Sequence, residues 1–276
     1  MTLPKRFTKM SGAGNDFLVF AAPGEISVAD GEALAKLCRR GISIGADGAL
    51  FVEPKGPSAV VLAYYNADGA KADFCANGTR CAARFAHREG YFEAGGGVLE
   101  TGWGPVRARV DDAAESVTLE LPDVPARYTS VPISVAGLPP RAVGISVGVP
   151  HLVVVTRDVD GLDLARVGPV LRRHPSQPEG ANVHFVRAED RHTLTVRSFE
   201  RGVEAETLAC GSGVVASAVV ARAQRLVESP VACRTRGGAV LTVEFEATPQ
   251  GARHVRLTGD ARFVFEGEIG RDAASG

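Results

Sequence analysis

The feature that most constrains the fold is a cysteine-led segment that occurs once in each half of the chain. Cys75 opens a run of small and polar residues, Cys210 opens the run Gly-Ser-Gly, and an apolar stretch of helical character follows each, over residues 81–88 and 214–226. Each thiol is therefore expected where a turn enters a helix, next to the free N–H groups and partial positive charge of the helix N-terminus. This setting lowers the pKa of a thiol, and two such thiols predict a pair of opposed acid/base groups.

Composition and charge exclude several other classes of protein. The chain has 276 residues, 45% of them hydrophobic and 23% charged, which is enough for one large domain or two smaller ones with an ordinary core. The formal net charge of −1 gives no reason to expect a nucleic-acid or anionic-membrane partner. No apolar run has the length of a membrane-spanning helix, and the N-terminus lacks the pattern of a signal peptide. We therefore expect a cytoplasmic protein with no membrane contact.

The cysteine spacing argues against a metal or disulfide framework. The five cysteines are odd in number and contain no Cys-x-x-Cys pair, so neither a zinc site nor a set of disulfides is indicated. Cys38, Cys81 and Cys233 occupy apolar or strand-like settings and are interpreted as packing residues.

Strand signals dominate the rest of the chain, with few helices between them. Besides the two cysteine-led helices, we predict a helix over residues 30–40 and another over 162–172, interrupted near Gly168 and Pro169. The Pro-rich passage 121–140 is the best candidate for a domain crossing, and the order of elements repeats in outline beyond it. The predicted domains are residues 1–122, joined by a C-terminal strand at 263–276, and residues 123–262.

An ordered set of motifs resembles the diaminopimelate epimerase family. The matching segments span nearly the whole chain and comprise residues 10–17, 45–48, 66–69, 74–81, 148–151, 180–183 and 199–213. The resemblance implies an α/β (α+β) fold of two pseudo-symmetric domains, each a β-barrel-like sheet around a central helix. It also implies the epimerisation of L,L-diaminopimelate to meso-diaminopimelate without a cofactor, in lysine and peptidoglycan precursor synthesis, by an expected homodimer.

The chemistry of that reaction agrees with the two thiols. Inversion of an α-carbon requires a proton to leave one face and another to arrive at the opposite face, which Cys75 and Cys210 can do as thiolate base and thiol acid. Negative charge then grows on the carboxylate of the substrate. The backbone N–H groups that follow each cysteine are placed to receive this charge; they belong to Ala76, Asn77, Gly211 and Ser212.

The resemblance also assigns roles to polar residues that have ordinary alternative readings. It makes His151 and Glu200 modulators of a cysteine pKa, although a strand-end histidine or a surface carboxylate would explain them equally well. It places Arg201 on the distal carboxylate of the substrate, a group that an arginine fork can bind bidentately. Four asparagines complete the expected binding set, although asparagine is also common in turns: Asn15, Asn66, Asn77 and Asn182.

Four departures from the family pattern matter, and one of them is an extra residue between Glu200 and Cys210 relative to the shortest family pattern. Ala76 replaces a common glycine, Val149 replaces a common asparagine that contacts the distal end of the substrate, and Gly48 stands where glutamine is common. Two alternatives therefore remain open, namely a racemase of another amino acid on the same fold and a non-catalytic amino-acid-binding homologue. Retention of both cysteine motifs argues against the second.

Overall fold

The computed structural model of the chain describes residues 3–93 and 95–274 and divides into two compact units. Unit 1 comprises Met1–Leu119 together with Gly259–Gly276, and unit 2 comprises Glu120–Thr258. The boundaries expected from the sequence, after residues 122 and 262, lie three and four residues beyond those of the structure, at 119 and 258.

Strands make up most of both units, and four helices are present among the described residues. The first part of the chain forms β1 (Arg6–Gly12), β2 (Asn15–Phe20), α1 (Val28–Cys38), β3 (Gly48–Gly56), β4 (Ala59–Asn66), β5 (Lys71–Ala72), α2 (Ala76–Arg88), β6 (Gly96–Thr101), β7 (Gly104–Asp111) and β8 (Ser116–Glu120). The second part forms β9 (Val124–Pro125), β10 (Thr129–Pro132), β11 (Arg141–Val147), β12 (Val149–Val155), α3 (Leu164–Arg172), β13 (Asn182–Asp190), β14 (Thr193–Glu200), β15 (Ala205–Thr207), α4 (Gly211–Ala223), β16 (Val231–Thr235), β17 (Val240–Thr248), β18 (Gly251–Asp260) and β19 (Arg262–Glu268).

The two units repeat one pattern of strand pairing. In unit 1, β1–β2 is antiparallel, β2–β3 parallel, β3–β4 antiparallel, β4–β6 parallel and β6–β7 antiparallel. In unit 2, β11–β12, β12–β13, β13–β14, β14–β16 and β16–β17 follow the same alternation in the same order. Helices α1 and α3 connect the first parallel pair of each unit, and α2 and α4 lie in the crossovers of the second. The internal duplication expected from the sequence is therefore confirmed at the level of topology.

Each unit wraps its sheet around one helix. Helix α2 is buried continuously from Ala76 to Ala86 and contacts strands β1–β4, β6 and β7. Helix α4 is buried at Gly211 and from Gly213 to Ala221 and contacts strands β11–β14, β16 and β17. Small side chains let strands approach such a helix from all sides, because alanine, glycine and valine occupy little volume around the axis. The predicted α/β fold with a central helix in each unit is confirmed.

The predicted interruption of α3 is wrong. The helix begins at the N-cap Asp163, whose carboxylate accepts a hydrogen bond from the backbone of Arg166, and it continues through Pro169 to Arg172. Burial of Leu164, Val167 and Leu171 along one face outweighs the hydrogen bond that the proline removes. Within residues 3–93 and 95–274, no helix combines the length and apolar character needed to cross a bilayer.

Candidate active site

Cys75 is the N-cap residue of α2. Its backbone is extended, with φ −142° and ψ 111°, and its Sγ accepts a hydrogen bond from the backbone N–H of Gly78 at 3.5 Å. The Cys75 carbonyl accepts from the backbone and the hydroxyl of Thr79, at 2.8 and 2.9 Å. The thiol is therefore held by the first helical turn at the N-terminal end of the central helix, as the sequence predicts.

A buried network connects this helix start to the β1–β2 hairpin. The two loop residues Ala13 and Gly14 both have positive φ, the geometry of a tight two-residue turn. The turn is followed by Asn15, whose Oδ1 accepts from Asn77 Nδ2 at 2.7 Å, while Asn77 Oδ1 accepts from the fully buried Arg80 at 2.9 Å. The side chain of Asn77 therefore connects Asn15 to Arg80 and helps to position Asn15.

Asp47 explains the motif at residues 45–48. Its carboxylate accepts from Asn15 Nδ2 at 3.0 Å and from the backbone N–H of Asp16 at 3.1 Å, which holds the asparagine from its other side. At the next residue, Gly48, a Cβ would lie 2.4 Å from the carbonyl oxygen of Tyr65. The departure from glutamine at this position is thus a packing requirement of this chain, because the paired strand approaches too closely for any side chain.

Asn66 ends strand β4, directly opposite Gly48 in the antiparallel register. Its backbone closes the turn that follows, with its carbonyl accepting from Gly69 and its N–H donating to Ala70, both at 2.9 Å. Its side chain is half-buried. Unit 1 therefore holds five predicted site residues within or next to its helices and strands: Asn15, Asn66, Cys75, Ala76 and Asn77.

Cys210 occupies the same place in unit 2 that Cys75 occupies in unit 1. It is the N-cap residue of α4, with φ −112° and ψ 109°, and its carbonyl accepts from Val214 N at 2.9 Å. Its Sγ lies 3.8 Å from the hydroxyl of Ser212. Both central helices are 13 residues long and both begin directly after a cysteine.

The surroundings of Cys210 reverse the expected direction of its pKa. Burial raises the pKa of the thiol well above its ordinary value, and the nearby Glu200 carboxylate, which hydrogen-bonds the thiol, raises it further. The backbone N–H of Gly213 and the hydroxyl of Ser212 lower it, but by less. The expectation of a depressed pKa is therefore wrong for Cys210, because loss of solvent outweighs the favourable field of the helix terminus.

The predicted polar residues of unit 2 converge on adjacent strands. His151 on β12 lies opposite Asn182 on β13, and Asn182 Oδ1 accepts from the backbone N–H of Arg201 at 2.8 Å. Arg201 in turn donates to the carbonyl of Glu179 at 3.2 Å, and Glu200 accepts from the hydroxyl of Thr207. Asn182 therefore fixes the backbone of the segment that carries Arg201.

His151 is fully buried, and its pKa is lowered to about 4, chiefly by loss of solvent and also by the charge of Arg201. Its Nδ1 is 2.8 Å from Nε2 of His184, a second fully buried histidine that the sequence analysis did not single out. A lone histidine within a strand-like run reads as a packing residue, so the sequence offered no signal for it.

The three cysteines assigned to packing are all buried, which suits that role. Burial raises the pKa of Cys81 to about 12 and that of Cys38 to about 11, so both thiols stay protonated at neutral pH. Burial raises the pKa of Cys233 in the same direction. Within the described ranges 3–93 and 95–274, no group of three or more histidine, cysteine or carboxylate side chains is arranged to hold a metal ion.

Solved structures with this fold include enzymes that invert amino acids. A hydroxyproline epimerase from Agrobacterium vitis, with bound trans-4-hydroxy-L-proline, aligns with a TM-score of 0.70 over 97% of this chain and 93% of its own, at 18% identity. A phenazine biosynthesis protein from Enterococcus faecalis aligns with a TM-score of 0.71 over 97% of this chain and 100% of its own, at 17% identity. At these identities the likeness shows the fold alone.

The sequence comparisons are closer and cover nearly the entire chain. A family model described as diaminopimelate epimerase matches residues 7–123 and 143–264. The chain is 39% identical to a diaminopimelate epimerase of Gemmatimonas aurantiaca, over 95% of this chain and 98% of that protein. It is 36% identical to a diaminopimelate epimerase of Aquifex aeolicus, over 96% and 98% of the two chains. The chain therefore belongs to the diaminopimelate epimerase family of isomerases.

Proposed function

We propose that the chain interconverts L,L- and meso-diaminopimelate without a cofactor, with Cys75 and Cys210 as its two acid/base groups. The observation that carries the proposal is the repeated placement of a thiol as the N-cap of the central helix, once in each of two units with the same strand topology. Neither hydrophobic packing nor helix capping calls for cysteine at both positions, since serine, threonine, asparagine and aspartate cap helices better.

In the proposed reaction one thiolate removes the α-proton and the other thiol returns one. Cys210 enters as the protonated partner, because burial and Glu200 hold its proton. Cys75 as thiolate takes the α-proton, and the Cys210 S–H delivers its proton to the opposite face of the carbon. The enzyme is left with a Cys75 thiol and a Cys210 thiolate, and it resets through the reverse reaction or by proton exchange with solvent.

The two helix starts supply the electrostatic part of the proposal. Loss of the α-proton places negative charge on the α-carboxylate of the substrate. The first N–H groups of an α-helix lack intrahelical acceptors, so those of Ala76, Asn77, Gly211 and Ser212 are suitable donors to that charge.

We further propose that Arg201 binds the distal carboxylate of the substrate, helped by Asn66 and Asn182. Asn182 Oδ1 fixes the backbone of Arg201, and the guanidinium donates to the Glu179 carbonyl, so the side chain is partly ordered before it binds a carboxylate. An arginine at this position selects for a substrate with a second carboxylate. The amino acid lysine, as a competing substrate, has no second carboxylate to pair with Arg201.

The proposal includes a cytoplasmic homodimer as the working form. Sedimentation equilibrium of the purified chain tests the dimer, and cell fractionation tests the compartment.

The decisive experiment follows deuterium incorporation in D₂O from L,L-diaminopimelate. Two separate bases predict that the first meso product carries deuterium at the inverted carbon, while the remaining L,L substrate stays unlabelled. A single base that carries the same proton across would return hydrogen to the product. Incubation with a panel of other amino acids in D₂O, including lysine and proline, tests the racemase alternative, and absence of exchange from every member would favour the non-catalytic one.

Matched variants test the assignment of the two thiols. Cys75→Ala and Cys210→Ala are expected to abolish epimerisation, whereas Cys38→Ala, Cys81→Ala and Cys233→Ala are expected to retain it. If either Cys75→Ala or Cys210→Ala keeps most of the wild-type turnover, the two-base mechanism is wrong.

A further inference from the structure

A chain of hydrogen bonds runs behind His151 through two residues that the proposed reaction does not use. His151 Nδ1 lies 2.8 Å from His184 Nε2, and His184 Nδ1 lies 2.9 Å from the hydroxyl of Ser198. All three side chains are buried, with His151 and His184 fully inaccessible and Ser198 at 3% exposure. Because the groups are shielded from water, each internal hydrogen bond is strong and its loss is costly.

We propose that His184, supported by Ser198, is a positioning residue that locks the ring and the tautomer of His151 for proton transfer in the candidate site. The inference rests on the proposed function, since it concerns how one group of that site is prepared for proton transfer.

The geometry leaves one nitrogen of His151 for outside partners. Nδ1 is occupied by His184, whereas Nε2 is buried and has no hydrogen-bond partner within the part of the chain that the structure describes. A neutral imidazole carries one proton, and its location is set by the bond that the other nitrogen makes. The tautomers of the two rings are therefore coupled, because Nδ1 of His151 can carry the proton only if Nε2 of His184 accepts it, and the reverse.

His184 also supports the helix that carries Cys210. A Cβ built on Gly213, in the first turn of α4, would lie 2.0 Å from Cε1 and 2.5 Å from Nε2 of His184. The imidazole thus packs directly against the backbone of the turn that Cys210 caps, and only glycine permits this approach. His184 therefore contacts both the ring of His151 and the backbone of the first turn of α4.

The surroundings of the hydrogen bonds that link His151, His184 and Ser198 favour neutral imidazole rings. Burial lowers the pKa of both histidines, and Arg201 opposes a positive charge on His151. Two neutral rings can share one proton between Nδ1 of the first and Nε2 of the second, whereas two charged rings would repel each other.

The test uses ¹⁵N NMR of the full-length protein labelled at histidine, which reports the tautomer of each ring independently of activity. In the wild type we expect a single His151 tautomer that is unchanged between pH 6 and pH 8. His184→Leu removes the polar partner, so the two tautomers of His151 should mix, whereas His184→Gln presents a polar group near the former Nε2 position and should restore one form. Ser198→Ala should produce partial mixing.

Ser217→Ala provides the matched control. Ser217 is also fully buried, and its hydroxyl donates to Gly213 O at 2.7 Å, but it lies outside the chain of hydrogen bonds. It should leave the tautomer unchanged. In the epimerase assay, Ser198→Ala should lower kcat by about tenfold, the equivalent of one lost buried hydrogen bond, with little change in KM.

The outcomes separate this inference from the proposed function. An unchanged His151 spectrum in His184→Leu would overturn the positioning role even if the enzyme is an epimerase, and a wild-type protein without epimerase activity would overturn the function even if the tautomer depends on His184. If His184→Leu does not fold, the comparison of Ser198→Ala with Ser217→Ala decides: mixing in the first alone supports the inference, and equal spectra overturn it.

Discussion

The buried histidines predict that unit 2 loses stability in mild acid. The pKa of His151 is lowered from 6.5 to about 4, so the unfolded chain binds a proton below pH 6.5 that the folded chain refuses until about pH 4. The contribution of neutral His151 to the free energy of unfolding is therefore complete above pH 6.5, and it is lost as the pH falls towards 4. From pH 6.5 to pH 5 the window spans about 1.5 units, and at about 1.36 kcal/mol per unit the loss from His151 alone is about 2 kcal/mol. The lowered pKa of His184 adds a loss of the same sign.

Urea denaturation monitored by circular dichroism at pH 7 and pH 5 measures this loss as a change in the free energy of unfolding. Carboxylates contribute little in this window, because most are ionised above pH 5 in both states. His151→Gln should reduce the loss of stability by about half, whatever its effect at pH 7, because the contribution of His184 remains. His254→Gln, at an exposed position, should behave as the wild type. An equal loss in His151→Gln and wild type would refute the reasoning.

Three further outcomes are expected. Gly213→Ala should destabilise the protein by about 1–3 kcal/mol, because the added methyl group would overlap the buried His184 ring. Gly270→Ala, where the methyl group would enter open space, should have little effect. Thermal denaturation compares the two variants, and equal melting temperatures would contradict the packing argument. Arg197→Met should cost about 3 kcal/mol, since it removes two hydrogen bonds to Glu206 and three to backbone carbonyls; an unchanged melting temperature would count against it. Alkylation of the native protein at pH 8, followed by peptide mass spectrometry, should modify half-exposed Cys75 before buried Cys38 and Cys81, and the reverse order would show that exposure does not control reactivity here.

The sequence predicts the helices of the fold well and its strands less completely. The four predicted helices are all present, and both cysteine-led helices begin at the residue after the cysteine. Of the nineteen strands among the described residues, twelve carry a strand signal in the sequence and seven do not, namely β5, β6, β9, β10, β15, β16 and β18. Strand β6 begins with two glycines and β18 contains charged residues at exposed positions, so neither carries the β-branched apolar run that identifies a strand. Their pairing partners stabilise them, and pairing over long distances in sequence is not visible in a local pattern.

The sequence identifies candidate residues for the site but not the electrostatics of their surroundings. Motifs identify Cys210 and Glu200, but the degree of burial decides the direction of the thiol pKa, and burial depends on the whole of unit 2. His184 was missed for a related reason, since its importance comes from contacts with Ser198 and with the backbone of α4 that are remote in sequence. Sequence motifs therefore indicate which groups are present, whereas the folded environment sets their protonation.

The unequal surroundings of the two thiols lead to a prediction about Glu200. Its carboxylate is the second cause, after burial, of the raised pKa of Cys210, because a nearby negative charge and an acceptor for the S–H both stabilise the thiol form. Glu200→Gln removes the charge while keeping the size of the side chain, so the pKa of Cys210 should fall. The pH dependence of Cys210 alkylation, followed by mass spectrometry, measures that shift. Glu204→Gln is the matched control, since this carboxylate lies in the same turn region but pairs with Arg172. If the pKa of Cys210 is unchanged or higher in Glu200→Gln, the carboxylate does not hold the proton on the thiol, and the assignment of Cys210 as the initial acid loses its electrostatic basis.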